Sequence, residues 1–169
     1  LEDVEIKVLC DLKGELVERS QKFITGKEFP PAEEYVGEHA WKEVCERDDI
    51  DLVYICTDWL SHTPIAVYAM EQGKHVAIEV PAATTVDECW QLVDTAEKTR
   101  RHCMMLENCC YDFFELNTLN MAQKGLFGEI VHGEGAYIHD LRSQLDSQKS
   151  WRTKFYEDYT GNPYPKIRF

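Results

Sequence analysis

The chain has 169 residues, 44% apolar and 29% charged, which is the length and composition of one globular domain with at most a short appendage. Lys and Arg number 18 against 31 Asp and Glu, a formal net charge of −13. That balance argues against nucleic acid or an anionic membrane surface as the main partner, because both need a positive footprint. A phosphate-bearing cofactor stays open, since helix N-termini and backbone N–H groups hold phosphate without Lys or Arg.

In chain order, Val4–Cys10 reads as a strand, Leu12–Ile24 as a weak helix closed by Gly26, and Lys27–Gly37, with Pro30 and Pro31, as a loop. Glu38–Arg47 is a short helix with Trp41, Val44 and Cys45 on its apolar side. Asp51–Cys56 is a continuous apolar run, expected of a strand covered on both faces. Pro64–Gln72 reads as a helix ended by Gly73, and His75–Glu79 as a strand. Thr85–Arg100 is the clearest helix, with a Thr85-x-x-Glu88 capping box and an expected buried stripe of Val86, Cys89, Trp90, Val93 and Ala96. His102–Leu106 is a strand, a helix opened by Asp112 and Glu115 ends near Gly125, and Glu129–Asp140 reads as a longer strand.

No apolar run approaches the roughly 20 residues of a membrane span, and residues 1–30 lack the basic start and apolar core of a signal peptide. Seven cysteines, at 10, 45, 56, 89, 103, 109 and 110, form no CxxC pair; reduced, buried thiols are expected and no metal site is.

Strands and helices that alternate with short links predict an α/β fold, a parallel sheet between helix layers. Ligands then bind outside the carboxyl ends of the strands. Those ends carry Asp11; Thr57, Asp58 and Trp59 with Ser61, His62 and Thr63; Glu79; and Glu107 and Asn108. Each has a plainer alternative: Asp11 as a turn opener, Ser61 or Thr63 as a cap, Glu79, Glu107 and Asn108 as loop polar groups. In the strand expected at Glu129–Asp140, Val131, Gly133, Gly135, Tyr137 and His139 share a face. Glycines that clear space before a phenol and an imidazole suit a ligand approach and shared proton transfer, although Tyr137 and His139 also have ordinary structural readings.

The segments EVPAATT, MLENCCYDFFEL and EGAYIHDLR, within near-continuous similarity from Trp41 to Arg142, resemble glycoside hydrolase family 109. These are NAD-dependent α-N-acetylgalactosaminidases of the glucose–fructose oxidoreductase/inositol dehydrogenase superfamily. Sugar dehydrogenases there carry Glu-Lys-Pro at the third strand end, with a lysine that assists hydride transfer. This chain has Glu79-Val80-Pro81, and valine exchanges no proton. The resemblance implies hydrolysis of terminal α-N-acetylgalactosamine by oxidation at carbon 3, elimination, water addition and reduction, with NAD as the cofactor. It implies that Glu107, Tyr137, His139 and Tyr164 line the sugar site, and that Asp11, Thr57, Trp59, His62, Glu79 and Asn108 contact the cofactor.

The family's first strand and glycine-rich turn have no counterpart before Asp11, and the chain departs from the family pattern after Pro165. The expectation is a Rossmann-like sheet lacking its first strand (residues 1–111), followed by the start of an α+β substrate domain (residues 112–169). Such a chain should bind NAD weakly or not at all and pair with another chain through an open sheet edge. Expected partners are a glycan or small molecule ending in α-N-acetylgalactosamine and a homo-oligomeric copy, with neither nucleic acid nor membrane. Two alternatives stand beside the hydrolase: an NAD(P)-dependent sugar oxidoreductase, and a non-catalytic binding module. Localisation is open between export and the cytoplasm.

Overall fold

Along residues 4–107 short strands alternate with helices in the computed structural model, which describes residues 4–136, 138 and 140. The chain divides into two units, Leu1–Glu107 and Asn108–Phe169. In the first, the order is β1 (Val8–Asp11), α1 (Gly14–Thr25), β2 (Glu33–Val36), α2 (Ala40–Cys45), β3 (Leu52–Ile55), α3 (Trp59–Glu71), β4 (His75–Ile78), α4 (Val86–Thr99) and β5 (Cys103–Met105). Every strand pair is parallel: β1 with β2, then β3 with β4 and β4 with β5. Among the described residues no strand joins the two ladders. The α/β alternation expected from the sequence is therefore present.

β2 lies inside the segment expected to be a loop. Pro30 and Pro31 stop short of it, and Glu33 and Glu34 stay exposed, so the strand forms through its backbone pairing with β1. Its start is fixed by Gln21 of α1, whose amide donates to the Ala32 carbonyl (2.7 Å) and accepts the Ala32 N–H (3.1 Å). Arg47 adds bonds to Glu33, Asp49 and Tyr35.

α3 begins five residues before the expected Pro64. Asp58 is the cap, accepting the Leu60 and Ser61 N–H groups (3.0 and 3.3 Å) and the Ser61 hydroxyl (2.7 Å). A proline two turns into the helix is tolerated because the start is already fixed by this cap. The α4 capping box forms as expected: Thr85 accepts the Glu88 N–H (3.2 Å), and Glu88 accepts the Thr85 N–H (3.0 Å). Burial alone would raise the Glu88 pKa, but bonds from Thr84 and Thr85 outweigh it and hold that carboxyl below its ordinary value.

Ile55, Val76 and Ile78 pack with Ile65, Ala66, Ala69 and Met70 of α3 and Leu92 of α4 to form the core. The three alanine and methionine positions of α3 are fully enclosed, which brings that helix close to the sheet. The opposite face of β3 is open: Leu52 is 55% and Tyr54 56% exposed, so the strand is covered on one face rather than on both. The expected α4 stripe is also corrected. Leu92 and Ala96, one turn apart, meet the core, and Trp90, rotated about 200° from Leu92, remains 62% exposed. All seven cysteines are free thiols, but of these only Cys45 is buried; its pKa is pushed up to about 11, chiefly by burial.

The second unit opens with a 3-10 turn, Asn108–Tyr111, and α5 (Phe113–Gln123), none of whose residues is buried. Gly125 and Gly128 take positive φ (70° and 67°) and turn the chain out of the helix. The strand expected over Glu129–Asp140 is absent from its described residues. Backbone alternation alone makes no strand; it needs a ladder partner, and none is present for this segment among the described residues. A Cβ placed on Gly133 or Gly135 would meet open space.

Because Met70 is fully enclosed by this core, Met70→Ala is expected to destabilise the chain by roughly 2–5 kcal/mol in urea unfolding, whereas Trp90→Ala on the exposed side of α4 changes stability by well under 1 kcal/mol.

Candidate functional site

In parallel strands the carboxyl ends gather the turns that follow, and here those turns are tied together by hydrogen bonds. The Asp11 carboxylate, at the end of β1, accepts the Lys13 N–H (2.9 Å), which starts α1 and fixes the carboxylate's orientation. The Asp11 carbonyl accepts the N–H of Gly37, whose φ of 137° allows the turn after β2. After β3 come exposed Thr57 and half-buried Trp59, which begins α3.

After β4, Glu79 donates its N–H to the Ile55 carbonyl (2.8 Å) and its carboxylate accepts the Tyr54 hydroxyl (2.8 Å). That bond first, with desolvation and the charge of Glu79 behind it, pushes the Tyr54 pKa up to about 12. Val80 follows, 37% exposed, and its bond to Pro81 is cis. The Cys56 thiol titrates above its ordinary value, from desolvation first and then from the carboxylates of Glu79 and Asp11. Both carboxylates are near enough to this thiol to act on it electrostatically.

His62 is enclosed, 1% exposed, with Nδ1 2.8 Å from the Pro81 carbonyl oxygen and Nε2 3.1 Å from that of Thr57. Its neighbour Thr63 donates to the Ala82 carbonyl (3.2 Å). Of the sequence candidates, Thr57, Trp59, His62 and Glu79 thus belong to the joined turns after β3 and β4, and Asp11 to the turn after β1. Glu107 is half-buried two residues beyond β5, and Asn108 is exposed at the head of the 3-10 turn in the second unit. Tyr137, His139 and Tyr164 lie outside the described residues. Tyr54 was not singled out from the sequence; the period-two pattern of Leu52–Ile55 sets it apart from Ile55, but a run read as covered on both faces hides a polar contact. Among the described residues no cluster of three His, Cys, Asp or Glu groups is arranged for a metal ion.

In nucleotide-binding parallel sheets a carboxylate at a strand end accepts ribose hydroxyls, and Asp11 is a carboxylate at the end of β1. A glycine-rich turn for the pyrophosphate is not among the described residues.

Residues 7–107 match the family model described as oxidoreductase family, NAD-binding Rossmann fold. Residues 111–167 match the model for the C-terminal domain of glycosyl hydrolase 109. An α-N-acetylgalactosaminidase of Bacteroides fragilis is 62% identical over 98% of this chain and 40% of its own length, so the chain spans about two fifths of that relative. Among solved structures, an oxidoreductase domain protein from Kribbella flavida aligns with a TM-score of 0.74 at 28% identity, covering 88% of this chain and 38% of that one. A levoglucosan dehydrogenase in complex with NADH and levoglucosan aligns with a TM-score of 0.74 at 25% identity, covering 89% and 38%.

Alkaline titration followed by phenolate absorbance should show one tyrosine ionising near pH 12, and Glu79→Gln should return it toward about 10. Since folding raises this pKa, the stabilisation is complete below about pH 10 and lost as the pH climbs through about 12. Tyr68 is also held above its ordinary value, first by its bond to Glu46, so the measurement is made in a Tyr68→Phe background, where a phenol still ionising near pH 12 after Tyr54→Phe is added would contradict the assignment.

Proposed function

We propose a function for a chain that belongs to the oxidoreductase family with an NAD-binding Rossmann fold and to glycosyl hydrolase 109: hydrolysis of terminal α-N-acetylgalactosamine, with NAD as the cofactor. The observation that carries it is Val80. An oxidoreductase-type strand end places a residue between Glu79 and Pro81 beside the cofactor turns, and here that residue is a partly exposed valine that neither gives nor takes a proton. The frame for redox chemistry is present, while this position offers no acid–base group for ordinary alcohol oxidation.

NAD, when bound, supplies reversible hydride acceptance at the sugar. The chain's own residues do the rest. Asp11 accepts the ribose hydroxyls, and Thr57, Trp59 and the Tyr54–Glu79 pair border the cofactor from the turns after β3 and β4. His62 contributes to this site from behind, through the carbonyls it touches. Asn108 is a further cofactor contact in this reading. Glu107, Tyr137, His139 and Tyr164 are assigned to the sugar, where a carboxylate, two phenols and an imidazole hold and move protons during loss of the aglycone and return of water. The substrate is a glycan or small molecule ending in α-N-acetylgalactosamine, and a second copy of the chain is the expected partner at the edges of β1 and β3 that have no ladder partner among the described residues.

The alternative is an NAD(P)-dependent sugar oxidoreductase, favoured by the likeness to the levoglucosan dehydrogenase fold. Incubation with NAD and a nitrophenyl α-N-acetylgalactosaminide separates the two: the hydrolase releases nitrophenol with no net NADH, and the oxidoreductase accumulates NADH with a sugar. Lasting NADH without nitrophenol overturns the proposal. Removal of a charge-assisted bond to the ribose should lower NAD affinity by about tenfold in Asp11→Ala, read by nucleotide fluorescence, with a cooperative thermal melt showing that the variant is folded.

A further inference from the structure

The first unit ends at Glu107, and the 3-10 turn that opens the second, Asn108–Tyr111, carries two adjacent cysteines to which the proposed reaction gives no role. Cys109 and Cys110 are both exposed, and neither is in a disulfide. They fall between the stretches that the two family models match. Four of the other five thiols react less readily, because burial raises Cys10, Cys45, Cys56 and Cys103 above their ordinary values and a thiol attacks a disulfide only as its thiolate. The fifth, Cys89, is exposed but has no cysteine beside it in the sequence.

We propose that Cys109 and Cys110 are a two-thiol modification site, which a low-mass aliphatic disulfide converts reversibly to a disulfide between the two neighbours. One thiolate attacks a sulfur of the small disulfide; a new S–S bond forms, the old one breaks, and the first small thiol leaves. The adjacent thiolate then attacks the protein sulfur of that mixed disulfide and expels the second small thiol. Two protein thiols are oxidised by two electrons in all. The small disulfide is reduced to two thiols, which take up the two protons that the protein gives off.

The backbone of the turn sets the consequence. At about three residues per turn, adjacent side chains leave a 3-10 turn roughly 120° apart. Adjacent Cα atoms are about 3.8 Å apart, below the roughly 4.4–6.8 Å usual for a disulfide. Closing the ring therefore requires the turn to open. The bond at stake is that from the Asp112 N–H to the Cys109 carbonyl (3.1 Å), directly before α5, whose first turn is held by the Leu116 N–H on the Asp112 carbonyl (3.1 Å). A ring short of its preferred spacing is also readily reduced, so the modification reverses. Glu107 and Asn108 immediately precede the pair. Under the glycosidase reading above, oxidation thus disturbs one sugar contact and one cofactor contact; the thiol chemistry itself does not rest on that reading.

The test treats the full reduced chain with an excess of oxidised glutathione at neutral pH and reads the proteolytic peptides by mass spectrometry. The peptide holding Cys109 and Cys110 should lose two hydrogens and carry no adduct, with fragment ions placing the bond between those two residues, whereas Cys89 keeps one glutathione. In Cys110→Ser the first step has no second, and Cys109 should stay glutathionylated. Amide NMR of the wild-type chain should show Asn108, Cys109, Cys110, Tyr111 and Asp112 shifting on oxidation and returning with a dithiol reductant. Lasting adducts on Cys109 or Cys110 of the wild type, a bond to Cys103 or to a second copy of the chain, or both thiols left unmodified overturns the proposal. So does a disulfide that leaves those five amides unmoved. If the variant fails to fold, the wild-type mass spectrum decides alone. No step needs NAD or a sugar, so a failure of the glycosidase reading would leave the result standing, and its failure would leave that reading untouched.

Discussion

Close packing of α3 on β3 and β4 is the constraint from which the rest follows. Ala66, Ala69 and Met70 are fully enclosed against Ile55, Val76 and Ile78, and two alanines in that seam let helix and sheet approach closely. Once that seam is fixed, the start of α3 has one place to be, beside the carboxyl ends of the strands it covers. Asp58 then satisfies the exposed amides of the first turn, so the helix begins at the sheet end rather than at Pro64. Thr57, Trp59, His62 and Thr63 are delivered to the mouth of the sheet as a consequence.

The chemistry of that mouth is set by acceptors and carboxylates rather than by basic residues. Glu79 and Asp11 act electrostatically on the Cys56 thiol, and Glu79 is steadied by the Tyr54 hydroxyl. A chain of net charge −13 that handles a nucleotide must recognise its hydroxyls with carboxylates and leave its phosphates to backbone N–H groups. Val80 sits in the same turn as Glu79 and contributes no proton chemistry. In the proposed reaction that silence is the point: the hydride is exchanged reversibly, and the proton work falls to groups on the sugar side.

Where the sequence was legible, the signal was local. The Thr85–Glu88 box formed because its two bonds lie within one helical turn. Strand and helix alternation was legible because apolar runs bounded by glycine leave few other structures for such lengths. The misreadings have a common origin in partners distant along the chain. β2 is polar and preceded by two prolines, and only the backbone of β1 makes it a strand. The residues described from Glu129 onward alternate well and remain without a ladder, because alternation supplies faces but no partner. Trp90 looks like core until Leu92 and Ala96 take the contact with the sheet's helices. The polar residues at the strand ends were all visible as candidates, but their connections were not, since Tyr54 and Glu79 are 25 residues apart and His62 and Pro81 are 19 apart.

By itself, then, the order of amino acids determined the α/β class, the strand ends that carry the polar groups, and the aprotic valine between Glu79 and Pro81. These are properties of residue type and short spacing. Tertiary structure alone decided that Tyr54 holds Glu79, that one face of β3 is bare, and that the His62 ring lies between two carbonyls. Each of those depends on which backbone lies next to which side chain once α3 has docked, and no periodicity along a single segment encodes that.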